Sequence, residues 1–237
     1  MTEMREGTIQ GNTATDQKAG LASHWRVLVL VLLLTPLGVL AYYAHERPYF
    51  AWDVTIANWV LDIPGPGVDT FMEMVSWLGT KIGILISILV TAGVATRILG
   101  WRAGVLVLSV IMIIGVNEQL KELIGRPRPG ELITIGSKSF PSGHVLHAVL
   151  LSGVIWLLAR PRLPKQRHQL MLAAVSIAWV VLVGLSRIHL ERHWPSDALG
   201  AYLLGVSALW VMAWVVPVLD RIQIPFCSHS PSKDKAS

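Results

Sequence analysis

The sequence predicts an all-α fold, a bundle of six transmembrane helices. Its 237 residues are 53% hydrophobic and only 15% charged, whereas about 25% of the residues in a soluble domain are charged. Six uncharged apolar runs recur along the chain, and several of its ten Trp residues lie near the ends of these runs, as in the aromatic belts of membrane proteins. With a mean hydropathy of +0.54, a disordered chain or an ordinary soluble globule would leave too much apolar surface in water.

The apolar runs differ in length, and the difference leaves two interpretations. A spanning helix needs about 20 apolar residues, with a lower limit of roughly 17, and only the first and last runs reach that length comfortably. The other four are either core helices of a soluble bundle or spans whose ends are completed by polar residues inside a protein-lined cavity. Composition favours spans. The runs are Val27–Ala44, Ile82–Thr96, Ala103–Val116, Val145–Ala159, Leu170–Leu185 and Ala198–Leu219.

The segments outside the runs complete the predicted organisation. Residues 1–24 form a polar N-terminal tail, residues 25–221 the six-span domain, and residues 222–237 a polar C-terminal tail. The first run is longer than the apolar part of a signal peptide, so it is expected to be retained as a helix. Between the first two runs, residues 46–80 are predicted to hold an interfacial helix and a second amphipathic piece, Val68–Leu78.

Charge predicts the orientation and the kind of partner. Of the 20 Lys and Arg residues, 12 fall on the side of the two termini and 8 on the other side. The positive-inside rule therefore predicts cytoplasmic termini in a multi-pass protein of the cell (inner) membrane. The net charge of +5 fits contact with lipid headgroups, and no nucleic-acid partner is expected. The single cysteine, Cys227, excludes an internal disulfide framework and a thiolate metal cluster, and the oligomeric state stays open.

The first of three polar clusters, Lys121–Pro129, follows the third run. Pro127 and Pro129 force an extended exit from the helix, so Arg126 and Arg128 are not simple helix-face residues. A lysine and rigidly held guanidinium groups suit an anion with several oxygens, such as phosphate. The alternative is that these cations only extend towards lipid headgroups.

The second cluster, Phe140–His144, opens the fourth run. Ser142 can cap a helix, and Gly143 allows a ligand to approach the backbone. Free N–H groups at a helix N-terminus bind anions, and His144 would lie in the first turn, facing the site. The alternative is a Pro-Ser-Gly turn with an incidental histidine.

The third cluster, Ser186–Asp197, joins the fifth and sixth runs. His193 and Asp197 are four residues apart across Trp-Pro-Ser. A carboxylate bonded to one imidazole nitrogen fixes the tautomer and leaves the other nitrogen free to attack an electrophile or accept a proton. The alternative is a structural contact that closes the loop. All three clusters lie at span ends on the same predicted outer side.

Together the clusters resemble the three-part signature of the type 2 phosphatidic acid phosphatase and vanadium haloperoxidase superfamily. Lys121–Pro129 matches Lys, six residues, Arg-Pro, and Pro141–His144 matches Pro-Ser-Gly-His. Ser186–Asp197 matches Ser-Arg, five residues, His, three residues, Asp. Each motif alone is weakly specific, but the ordered set is a strong signal. The resemblance covers roughly residues 50–219 without a departure from the motifs.

The resemblance implies a role for each motif residue. His193 would be the nucleophile that forms a phosphohistidine, Asp197 would orient it, and His144 would protonate the leaving group and then activate water. The residues implied to bind the phosphoryl group are Lys121, Arg128, Ser142, Gly143 and Arg187. Three fixed cations can take the place of a metal there, so no metal or other cofactor is expected. Four nearby residues are interpreted as supporting or structural: Arg126, His147, His189 and Glu191.

Four functions are compatible with the sequence. The first is a metal-independent lipid phosphate or diphosphate phosphatase, acting on phosphatidic acid, phosphatidylglycerophosphate or an isoprenyl diphosphate. The second is a lipid phosphotransferase, which would need the same residues. A vanadate-dependent haloperoxidase is disfavoured because the resembling haloperoxidases are soluble. Simple headgroup binding without catalysis would not require His193 and Asp197 at their spacing.

Overall fold

The structure is a computed structural model that describes residues 3–129 and 138–221, with side chains at 24–129 and 138–216. In this part of the chain every regular element is a helix. A 3-10 turn at Arg160–Arg162 extends the sixth. The helices are α1 (Glu3–Glu46), α2 (Ala51–Leu61), α3 (Val68–Trp77), α4 (Lys81–Leu99), α5 (Trp101–Ile124), α6 (Gly143–Ala159), α7 (Gln166–His189) and α8 (Pro195–Arg221).

Within the described residues, six helices are long and apolar enough to cross a membrane, which confirms the predicted bundle. Their outer surfaces carry large apolar side chains, such as Ile82 at 68% exposure and Met112 at 75%, which lipid rather than water can accommodate. The four short runs become full spans because polar residues continue their helices. In α5, for example, the helix extends through Asn117 and Lys121, both of which are buried.

The structure describes the backbone of most of the predicted N-terminal tail but not the predicted C-terminal tail. Helix α1 begins at Glu3, so a helical backbone runs through most of the segment predicted as a polar tail. The part of α1 that could span a membrane is His24–Glu46. The predicted tail at 222–237 lies outside the described residues.

Helix α6 lies at the centre of the bundle. Val145, Leu146, Leu150 and Val154 are all fully buried, and α6 packs against α5, α7 and α8. This apolar core holds the N-terminus of α6 in the middle of one end of the bundle. The C-terminal ends of α5 and α7 and the N-terminal end of α8 surround it there.

Two short helices cross that same end of the bundle. Helix α2 contacts α7 and α8, and α3 contacts α7; they occupy the segment for which the sequence predicts an interfacial helix and an amphipathic piece. The chain leaves α5 through Gly125, whose φ of 71° ends the helix in the left-handed region that glycine adopts without strain. Arg126, the next residue, is thereby directed towards α2 and α8, where it bonds to Asp53 and Asp197.

Candidate active site

The three polar clusters of the sequence meet at this end of the bundle. The Ser142 N–H donates to the Asp197 backbone carbonyl over 3.1 Å, which joins the start of α6 to the first turn of α8. A Cβ on Gly143 would lie 3.1 Å from Lys121 Nζ, so the end of α5 also reaches this point. The charges of Arg187 and Arg128 act on His193. Residues distant in the chain therefore form one cationic site.

His193 and Asp197 form the pair that their spacing predicts. His193 Nδ1 faces Asp197 Oδ2 at 3.4 Å, and the same oxygen accepts the Trp194 N–H at 2.8 Å. Both side chains are almost completely buried. Because the carboxylate faces Nδ1, the imidazole proton resides there and Nε2 keeps its lone pair.

The backbone before His193 explains how the ring is delivered to the site. Helix α7 ends in a Schellman motif, in which Glu191 N–H bonds to the Ile188 carbonyl and Arg192 N–H to the Arg187 carbonyl. Glu191 takes the left-handed position of this motif at a φ of 52°, where glycine is usual. The Arg187 carbonyl also accepts the His193 N–H at 3.2 Å. The backbone of His193, the candidate nucleophile, is therefore anchored directly to that of Arg187, a candidate phosphate-binding residue.

Burial keeps the His193 ring neutral. Removal from water lowers the pKa of His193 to about 4, although its hydrogen bond to Asp197 acts in the opposite direction. The positive charges of Arg187 and Arg128 lower the pKa further. At neutral pH the ring is therefore unprotonated at Nε2, the state that a nucleophile requires.

The predicted phosphate-binding groups carry hydrogen-bond donors without protein partners. Arg128 Nε, Arg187 Nε and Ser142 Oγ are buried atoms for which no partner is found among the described residues. Buried polar atoms in native proteins are nearly always bonded, so these three groups, all within the predicted motifs, are available to a ligand with acceptor oxygens. Ser142 occupies the N-cap position of α6 as predicted, but its hydroxyl makes no capping bond and stays available.

The lysine of the site is held by a neighbour on its own helix. Lys121 Nζ donates to Glu118 Oε1 over 2.6 Å, and Lys121 is buried while the Glu118 side chain is 57% exposed. The missing Gly143 side chain leaves this ammonium next to the N-terminus of α6, where partial positive charge from the helix also favours an anion.

The corner between α3 and α4 forms a further wall of the site. Arg187 Nη1 donates to Ser76 Oγ in α3. Gly79, in the turn after α3, packs against the His144 ring so closely that a Cβ there would overlap Cδ2 of the ring. One short segment therefore touches both the predicted acid–base group and a predicted phosphate ligand.

Gly79→Ala is expected to reduce kcat about 100-fold, because the added methyl group displaces the His144 ring, and a shift of about 1 Å at a reacting group costs a factor of this size. Overpacking also costs about 1–3 kcal/mol of stability. The matched control is Gly93→Ala in α4, where a Cβ meets nothing within 4 Å. The steady-state rates of the two purified variants are compared. Equal rates would show that Gly79 does not set the position of His144.

Comparison with known proteins assigns the family. Residues 102–221, which contain all three motifs, match the PAP2 superfamily. The chain belongs to the PAP2 superfamily. It is 31% identical to phosphatidylglycerophosphatase B of Bacillus subtilis (strain 168) over 182 residues, which cover 73% of this chain and 88% of that protein. This relationship makes the chain a membrane-embedded phosphatase of the superfamily.

Two solved structures share the fold. The transmembrane PAP2 type phosphatidylglycerolphosphate phosphatase from Bacillus subtilis superposes with a TM-score of 0.68 at 28% identity, over 82% of this chain and 98% of that one. Aquifex aeolicus LpxE superposes with a TM-score of 0.54 at 20% identity, over 70% and 96% of the two chains. The second likeness concerns the fold alone.

Several residues of the site are not evident from the sequence motifs. Asp53, Ser76 and Gly79 lie outside the matched residues 102–221, yet they contact Arg126, Arg187 and His144. The sequence signal for one of them is that Asp53 is the single charged residue of helix α2.

The supporting residues named from the sequence have identifiable contacts. His147 bonds to Ser87 Oγ in α4, and His189 bonds to Asp69 in α3. Glu191 contributes through its left-handed backbone conformation at the end of α7. Arg126 contacts Asp197 directly, at 2.6 Å.

Proposed function

We propose that the protein hydrolyses the phosphomonoester or diphosphate headgroup of a membrane lipid, without a metal, through a phosphohistidine intermediate. The observation that carries the proposal is the arrangement around His193. A neutral buried imidazole bonded to Asp197 faces cations with unsatisfied hydrogen-bond donors. This is the combination needed to bind a phosphoryl group and attack it in one place.

In the first step His193 Nε2 attacks phosphorus. The new N–P bond forms as the P–O bond to the leaving group breaks, and His144 gives its proton to the departing oxygen. Asp197 balances the positive charge that develops on the His193 ring. Phosphoryl transfer is governed chiefly by positioning and by stabilising the equatorial oxygens. The groups proposed for that stabilisation are Lys121, Arg128, Arg187, the Ser142 hydroxyl and the Gly143 N–H.

In the second step water breaks the N–P bond. His144, now unprotonated, removes a proton from water as the water oxygen attacks phosphorus, which releases inorganic phosphate and regenerates both histidines.

A lipid substrate fits the position of the site. The catalytic candidates lie at the ends of helices whose outer faces are apolar, so a substrate can present phosphate to the site while its chains stay in the bilayer. The substrate class includes phosphatidic acid, phosphatidylglycerophosphate and isoprenyl diphosphates. The names of the Bacillus subtilis relatives, which specify phosphatidylglycerophosphate, support this class.

Phosphate release in detergent micelles with excess EDTA tests the function. Phosphatidic acid, phosphatidylglycerophosphate and a long-chain isoprenyl diphosphate are offered side by side, and release that resists EDTA is expected from at least one. Mass spectrometry of the lipids separates the two reactions that the site can support. A phosphorylated acceptor lipid with no inorganic phosphate would identify a phosphotransferase, and EDTA-sensitive release would contradict the metal-free mechanism.

The orientation is part of the proposal: both termini in the cytoplasm and the site on the periplasmic or exterior side. Support comes from the distribution of 12 Lys and Arg residues on the terminal side and 8 on the other. Sealed right-side-out vesicles are expected to hydrolyse added substrate at the rate of permeabilised ones. Activity that appears only after permeabilisation would reverse the orientation.

A further inference from the structure

We infer that Asp53 and Arg126 act as a positioning pair, which holds Asp197 in the orientation that His193 needs. The inference rests on the proposed function and extends the site to helix α2, outside the three family motifs. Neither residue contacts the reacting atoms. Their effect on the reaction passes through the carboxylate of Asp197.

Arg126 uses all three of its nitrogens. Nη1 donates to Asp197 Oδ1 and to Ser196 Oγ, each at 2.6 Å, and Nη2 donates to Asp53 Oδ2 at 2.8 Å. Nε donates to the Pro48 carbonyl at 3.1 Å. The side chains of Arg126, Asp53 and Asp197 are completely buried, where such bonds are least screened by water.

Asp53 ties this arrangement to α2. Its Oδ1 accepts the Ser196 N–H at 2.8 Å, and its Oδ2 accepts the Ser196 hydroxyl at 2.7 Å and the Phe50 N–H at 3.0 Å. These three groups and the Arg126 guanidinium, four in all, are hydrogen-bond donors. A carboxylate satisfies them all, whereas an amide would turn an NH₂ group towards one of them.

The consequence for Asp197 is a fixed rotation. Arg126 occupies Oδ1, which leaves Oδ2 to accept from Trp194 N–H and to face His193 Nδ1. Without the guanidinium, the carboxylate could turn away from the ring. The single positive charge of Arg126 is divided between two carboxylates, those of Asp53 and Asp197. Part of the negative charge of Asp197 is therefore left to stabilise a positively charged His193 ring.

The test compares kcat and KM of Asp53→Asn and Arg126→Lys with the wild type, using a lipid that the wild type hydrolyses. We expect kcat to fall about 10–100-fold in both variants, by analogy with the loss of a group that orients a metal-binding histidine, while KM changes less than about twofold. Lysine keeps the charge of Arg126 but cannot replace its planar fork. The matched control is Asp69→Asn, which removes a carboxylate of α3 that bonds to another histidine, His189. The kcat of this variant is expected to be unchanged.

Rates are expressed per monodisperse protein after gel filtration, so that lost folding is not counted as lost catalysis. Wild-type kcat in Asp53→Asn, or a fall that matches the loss of folded protein, would overturn the inference. If Asp53→Asn does not fold, Ser196→Ala provides the test, because it removes only the hydroxyl between Arg126 and Asp53; kcat is expected to fall several-fold. His193→Ala is measured alongside. Turnover retained in that variant would refute the proposed function itself, whereas an inactive His193→Ala with a normal Asp53→Asn would refute only the positioning pair.

Discussion

His193→Ala is expected to lower phosphate release by at least about a thousandfold, because the variant lacks the atom that attacks phosphorus. The cations and the N-terminus of α6 stay in place, so substrate binding should be little affected. The fold should also survive. Among the described residues the ring makes one side-chain hydrogen bond, a long one of 3.4 Å, and it lies in the connection between two helices. Rapid quenching with a substrate labelled in its phosphoryl group should give labelled wild-type protein and unlabelled variant.

The matched control is His147→Ala. His147 is also a buried histidine, but its ring bonds to Ser87 Oγ at 2.9 Å. Its loss should affect stability more than turnover. Turnover retained in His193→Ala, or an equal loss of activity in His147→Ala, would exclude His193 as a specific nucleophile.

Asp197→Asn is expected to lower kcat by up to about ten-thousandfold, the loss seen when the carboxylate behind a catalytic histidine is replaced by an amide. Both oxygens of Asp197 face donors: Arg126 on one side, and Trp194 N–H with His193 Nδ1 on the other. An amide must turn its NH₂ group towards one side. If that side is His193, the ring proton moves to Nε2 and the lone pair needed for attack is lost.

The same substitution should also destabilise the protein, by about 1–3 kcal/mol for a buried group left without its partner. Arg126 retains Asp53, which limits the loss. Thermal unfolding in detergent and the initial rate of phosphate release measure the two effects separately. A kcat within about tenfold of the wild type would mean that the imidazole holds its tautomer without Asp197.

The bundle and the motif residues were predictable from the sequence for physical reasons. Lipid requires long apolar helices, and a charged residue near an apolar run is costly enough to indicate a function. Lys121, His144 and His193 therefore stood out by their type and position. Their convergence at one end of the bundle followed from the alternation of spans, because each cluster begins or ends a helix on the same side.

The remaining parts of the site were not predictable in this way. Gly79 matters because of how closely the His144 ring approaches it, and a distance between helices has no local signal. The left-handed conformation of Glu191 was hidden because glycine, not glutamate, is the residue that indicates it. The free hydroxyl of Ser142 was hidden for the opposite reason: serine before a helix usually satisfies its own capping role.

The Asp53–Ser196 contact has a consequence for biogenesis. The two residues are 143 positions apart in the chain, so α2 leaves the ribosome long before α8 is made. Arg126 is synthesised between them, and its pairing with Asp53 can form first, which relieves an isolated carboxylate at the membrane surface. If this pair has formed, the first turn of α8 completes it by adding the Ser196 and Asp197 contacts. Asp197, which is proposed to orient His193, lies in the first turn of α8, so on this order of assembly the proposed catalytic pair is complete only once α8 has inserted.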